Sequence, residues 1–267
     1  MTDQQIKERY APRAMKPEFG YVYDDGQKIY YAIQGDAGKP LLVLVHGAPG
    51  RWYSSINLMD DPALLDCYRI LAYDRPGYGK SNGGRAINSI QKQAQYLATL
   101  IGHFNPRHEP VAVVGRSYGT AIASCYAMSY PERVKKLVLI GSCIDPQKEK
   151  FFWFSYPNIS GTVQSFMPPA LNIATSEKFS HKNELEKLLP GWEHIQSPTY
   201  VLHGTKDWIS DTANAWFAYN RIINAPVSVY LLEGTGHNIT VANPRLIVDL
   251  VLREEEILPA KAHSSKK

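Results

Sequence analysis

Ser117 is the residue whose surroundings best suit chemistry. It lies in Gly115-Arg116-Ser117-Tyr118-Gly119, after the apolar run Val111 to Val114 and before a small-residue stretch that includes Ala121 and Ala123. A serine at the apex of a strand–turn–helix connection is exposed, and the helix N-terminus beside it favours developing negative charge. So tight a turn brings helix and strand backbones together two residues either side of the serine, where glycine fits. A serine hydroxyl is a poor nucleophile at neutral pH; it needs a base, and the base needs an orienting group. His237, in Gly234-Thr235-Gly236-His237, and Asp207, in Gly204-Thr205-Lys206-Asp207, each follow an apolar run and have the right chemistry. The bland alternatives are a glycine-bracketed loop for Ser117 and a capping or core role for His237. Asp145 is a rival acid, and Asp211 reads better as a helix cap.

The elements that must position these groups can be read from hydrophobic patterning. Leu41 to Val45, Tyr68 to Tyr73, Val111 to Val114, Lys136 to Ile140, Thr199 to Leu202 and Val227 to Leu232 are short, largely apolar runs. Such runs suit strands buried on both faces of a mostly parallel sheet. Phe19 to Tyr23 and Lys28 to Gln34 flank Asp24-Asp25-Gly26, a hairpin signal. Helical stretches fall at Ile87 to Phe104, Tyr118 to Tyr130, Asp211 to Ile223 and Asn243 to Glu256. The alternation predicts a doubly wound α/β sheet with an N-terminal antiparallel hairpin. Loops at the C-terminal ends of its parallel strands share one rim, where ligands bind in open α/β sheets. One stretch, Asp145 to Ser197, lacks a clear strand and is rich in aromatics. It reads as a helical cap (145–197) inserted into a core of residues 1–144 and 198–267.

Further motifs carry a resemblance. His46-Gly47-Ala48-Pro49-Gly50 follows one strand, and Asp74-Arg75-Pro76-Gly77-Tyr78-Gly79-Lys80-Ser81 follows the next. With the serine turn and the Asp207 and His237 segments, in that order from Leu41 to His237, the chain resembles the α/β-hydrolase family. The resemblance implies the α/β-hydrolase fold and the order nucleophile Ser117, acid Asp207, base His237. It implies an oxyanion hole made by the backbone N–H groups of Tyr118 and Ala48, with His46 and Gly47 shaping the loop. The Asp74 to Ser81 turn is expected to be structural. Serine at 117 separates the chain from members with an aspartate nucleophile, so epoxide hydrolysis and dehalogenation are not expected. The expected activity is hydrolysis of a carboxylic ester through an acyl-enzyme. A carbon–carbon bond hydrolase or amidase using the same residues is the alternative, and a non-catalytic ligand receptor on this fold a third reading.

Composition bounds the rest. The chain has 267 residues, 44% hydrophobic and 20% charged, with a net charge of +4 and no basic block. Nucleic acid is therefore not an expected partner, and a small-molecule substrate is. No run of apolar residues is long enough to span a bilayer, and Met1 to Tyr10 lacks the apolar core of a secretory signal. Cys67, Cys125 and Cys143 have no metal or redox spacing and read as reduced thiols in buried positions of a cytoplasmic protein. His103, His108, His181, His194, His203 and His263 show no metal spacing and read as surface or loop, with His203 a candidate neighbour of Asp207. No metal or cofactor is expected. Candidate pocket walls for a hydrophobic or aromatic substrate are Trp52, Trp208, Phe152 and Trp153, although cap-core packing would equally explain such residues.

Overall fold

The computed structural model describes residues 1–150 and 166–254. Its frame is an eight-stranded sheet in the order β1-β2-β4-β3-β5-β6-β7-β8. The strands are β1 (Glu18–Asp24), β2 (Gln27–Gln34), β3 (Leu41–Val45), β4 (Arg69–Tyr73), β5 (Val111–Arg116), β6 (Val134–Ile140), β7 (Thr199–Gly204) and β8 (Val227–Leu232). β1 and β2 form the antiparallel hairpin, and β2 pairs antiparallel with β4. From β4 to β8 every pairing is parallel. The hairpin pairs Asp24 with Gln27, leaving Asp25 and Gly26 as the turn, both at positive φ. That is the two-residue connection whose twist matches its strands.

Side chains alternate across the sheet, and each face builds its own core. Val43, Val45, Val111 and Val113 face one layer with residues of the helices Ile90–Phe104 and Gly119–Ser129. Leu42, Leu44, Ala112 and Val114 face the other, packed on Leu58, Leu64, Ile247 and Val251. Ser89 caps the first of these helices by accepting from the N–H of Lys92, which starts it at Ile90 rather than at the expected Ile87. The other helices are also shorter than expected, running over Gly119–Ser129, Ala213–Arg221 and Pro244–Leu252. An unexpected helix, Asp3–Tyr10, begins with a capping box between Thr2 and Gln5.

The stretch read as a cap contains the helix Pro169–Leu188, whose C-terminal Leu185 and Leu188 join the first core layer. Among the described residues no helix is long and apolar enough to cross a membrane.

Candidate active site

The turn after β5 has the strain the sequence implied. Ser117 sits at φ +52°, the left-handed region, and its N–H donates to the carbonyl of Ile140 at 2.8 Å. A Cβ at Gly115 would lie 2.8 Å from the carbonyl oxygen of Gly119, and one at Gly119 would lie 2.5 Å from that of Val45. The flanking glycines therefore let the helix Gly119–Ser129 start directly behind the serine. The Thr120 hydroxyl donates back to the carbonyl of Ser117 at 2.6 Å and fixes the first turn.

His237 and Asp207 come from loops that follow β8 and β7. Nε2 of His237 is 2.9 Å from Oγ of Ser117, and Nδ1 is 2.6 Å from Oδ2 of Asp207. A carboxylate can only accept, so Nδ1 carries the proton and Nε2 presents a lone pair to the serine hydroxyl. Asp207 is buried, and its Oδ1 accepts from the N–H groups of Ile209 at 2.9 Å and Ser210 at 3.0 Å. Burial alone would raise the Asp207 pKa, but hydrogen bonds from His237 and Ser210 outweigh it and hold the carboxyl below its ordinary value. At Gly141, φ +57°, a Cβ would lie 3.2 Å from Cε1 of His237, so the glycine leaves space for the imidazole.

The rival acids are occupied elsewhere. The Asp145 carboxylate accepts from the N–H of Gln147 and caps a short turn, and Asp211 accepts from the N–H of Ala213 at a helix start. His203 is buried beside the acid, with Nε2 3.2 Å from the carbonyl of Ser210 and 3.5 Å from Oδ2 of Asp207. Arg116 donates to Oδ1 of Asn238, the residue after His237, at 2.6 Å.

A cavity of about 440 Å³ opens at Ser117, and Ala48 and Tyr118 line it too. Its apolar walls include Met167, Leu171, Ala174 and Ile209. Glu149, Lys178 and His181 also line it, and Glu149 pairs with both of the others. Sequence reasoning missed these three. His181, read as surface or loop, is 1% exposed and stacks on Tyr118 with ring centroids 4.5 Å apart. Cys143 lines the cavity with Sγ 4.0 Å from Oγ of Ser117, and burial pushes its thiol pKa up to about 11.

The expected aromatic walls fare differently. Trp52 is 3% exposed, packs edge-on against Phe19 at 5.2 Å in the second core layer, and is not among the cavity's lining residues. Its backbone N–H donates to Oδ1 of Asp74, which anchors the segment after β3 to the segment after β4. Trp208 is 63% exposed and also lies outside the lining, whereas the adjacent Ile209 belongs to it. Phe152 and Trp153 lie outside the described residues.

Comparison with known proteins agrees with this architecture. Residues 40–162 match the family model for the alpha/beta hydrolase fold. The chain is similar to proline iminopeptidase PfmaB of Pestalotiopsis fici, 22% identical over 85% of this chain and 96% of that one. It is 32% identical to Epoxide hydrolase 4 of Homo sapiens over 45% of this chain, a stretch that spans only 32% of that protein. The solved 2-hydroxy-6-oxo-6-phenylhexa-2,4-dienoate hydrolase of Rhodococcus sp. superposes with a TM-score of 0.68 at 19% identity, covering 88% of this chain and 96% of that one. The chain has the alpha/beta hydrolase fold.

Proposed function

We propose that the chain is a serine hydrolase that cleaves a carboxylic ester of a small hydrophobic or aromatic substrate through an acyl-enzyme. The observation that carries this reading is the hydrogen-bonded series Ser117–His237–Asp207, whose serine lines a largely apolar cavity. Oγ of Ser117 attacks the ester carbonyl while Nε2 of His237 takes its proton. Asp207 keeps the imidazole in the tautomer that can accept, and offsets the positive charge that then forms. The N–H groups of Ala48 and Tyr118 stabilise the tetrahedral oxyanion. The protonated imidazole gives its proton to the departing alcohol, and water repeats the sequence to release the acid. Residues 145–197 act as a cap, with the helix Pro169–Leu188 as one cavity wall.

A peptidase reading, raised by the similarity to the Pestalotiopsis protein, would need a carboxylate free to hold a substrate amine. Glu149 is the cavity's carboxylate among the described residues, and it is already engaged by Lys178 and His181. That favours the ester.

A panel of p-nitrophenyl esters of rising chain length, run beside aminoacyl p-nitroanilides, tests the choice. Turnover of the esters is the expected result. Turnover confined to the anilides would move the assignment to an amidase, and none on either set to cleavage of a carbon–carbon bond.

A further inference from the structure

The guanidinium of Arg75 is fully buried, and each of its five N–H groups has an acceptor. Nε donates to the carbonyl of His46 at 3.1 Å and Nη2 to the carbonyl of Gly47 at 3.1 Å. The other donors go to Glu177, in a two-pronged pair at 2.5 and 3.0 Å, and to Oε1 of Gln93 at 2.7 Å. Glu177 is equally closed, since its oxygens also accept from Tyr78 Oη and Gln93 Nε2. His46 completes the clamp. Its Nε2 accepts from the N–H of Arg75 at 2.9 Å, so Nδ1 carries the proton and donates to the carbonyl of Gly47 at 2.7 Å.

Peptide planarity turns this clamp into an aiming device. In a trans peptide the carbonyl of one residue and the N–H of the next point in opposite directions. Holding the Gly47 oxygen toward Arg75 and His46 therefore aims the Ala48 N–H the other way. Gly47 itself lies against the nucleophile: a Cβ there would be 2.8 Å from Cβ of Ser117. Glu177 belongs to the helix Pro169–Leu188, whose Leu171, Ala174, Lys178 and His181 line the cavity.

We propose that Arg75 and Glu177 are positioning residues whose buried pair aims the Ala48 N–H at the developing oxyanion and makes that aim depend on the seating of the Pro169–Leu188 helix. The inference rests on the serine-hydrolase reading above and extends it by linking the wall that holds the substrate to the group that stabilises its transition state.

The test uses Glu177→Gln and the double variant Arg75→Met/Glu177→Leu, assayed on a p-nitrophenyl ester with active sites counted by fluorophosphonate titration. Glu177→Gln leaves a buried guanidinium without its counter-charge and should lower both Tm and kcat. The double variant removes both charges, and apolar replacement of a buried pair is often neutral for stability. Its Tm should therefore recover, while kcat per titrated site stays about 10- to 100-fold down with KM within about twofold, because the lost contact acts only in the transition state. A boronic acid that mimics the tetrahedral state should lose affinity by a similar factor. A double variant with wild-type kcat and boronate affinity would overturn the proposal and leave Ser117 chemistry standing. Wild-type protein that takes no fluorophosphonate would overturn both.

Discussion

Oγ of Ser117 and Nε2 of His237 lie 2.9 Å apart although 120 residues of chain separate them. The fold closes that gap because β5 and β8 lie in the parallel part of one sheet, and the turns that follow them meet at the same rim. Asp207, from the turn after β7, completes the alignment, and the consequences of that geometry can be measured.

Asp207→Asn should cut turnover by about 10⁴-fold, because an amide in that place no longer enforces the accepting tautomer of His237. The substitution should also report on stability. The folded carboxyl titrates below its ordinary value, so the unfolded chain binds that proton more readily. The stabilisation is then fully present above the pKa of an unfolded aspartate, about 3.9, and is lost as pH falls through the lower folded value. Urea midpoints for wild type and variant should differ near neutrality and converge in acid. A gap that widened as pH fell would contradict the assignment.

Gly47→Ala places a methyl group 2.8 Å from Cβ of Ser117 and 3.3 Å from its Oγ. The loop has to move, and the Ala48 N–H moves with it. A drop in kcat of at least about tenfold is expected, since small displacements of catalytic groups are costly. Gly38→Ala, on the surface, meets only Oδ1 of Asp36 at 3.4 Å and should leave the rate unchanged. Equal effects of the two substitutions would deny the loop its place at the nucleophile.

The cysteines should separate by environment. Burial pushes the thiols of Cys125 and Cys143 up to about 11, whereas Cys67, expected to be buried, is exposed. Only the thiolate alkylates. Iodoacetamide at about neutral pH should modify Cys67 first and Cys143, in the cavity wall, more slowly, with Cys125 protected until denaturant is added. Peptide mass spectrometry reads the order, and rapid modification of Cys125 in the folded protein would contradict its burial.

Ala174 lines the cavity on the helix Pro169–Leu188. Ala174→Phe should fill part of the space and shorten the longest p-nitrophenyl ester accepted, with little change on the acetate. An unchanged chain-length profile would place the acyl group elsewhere.

Much of the site was legible in the sequence because its signals are local. Ser117, Asp207 and His237 each stand just past an apolar run, and parallel strands carry such positions to a common edge whatever lies between them. β3 and β8 match their expected spans residue for residue, although only β3 is buried along its length and β8, at the sheet edge, is mostly half-exposed. The cavity wall was hidden for the opposite reason. The buried stripe of the Pro169–Leu188 helix has helical spacing, but Glu177, His181 and Glu184 form much of it. A reading of hydrophobic periodicity passes over ionisable residues whose partners are distant. Arg75 and Glu177 are 102 positions apart, and nothing near either one announces the other. Trp52 misled because an aromatic in a loop after β3 can turn to either side, and here the Phe19 ring and the carboxylate of Asp74 hold its segment against the second core layer.

The most direct measurement is the intact mass of wild type and Ser117→Ala after exposure to a fluorophosphonate, alongside their rates on the best p-nitrophenyl ester. Wild type should gain one adduct, mapped to Ser117, and the variant none, with turnover lower by about 10⁶-fold. A wild-type protein that stays unlabelled, or a Ser117→Ala protein that still turns over the ester at a comparable rate, would contradict the assignment of Ser117 as the nucleophile.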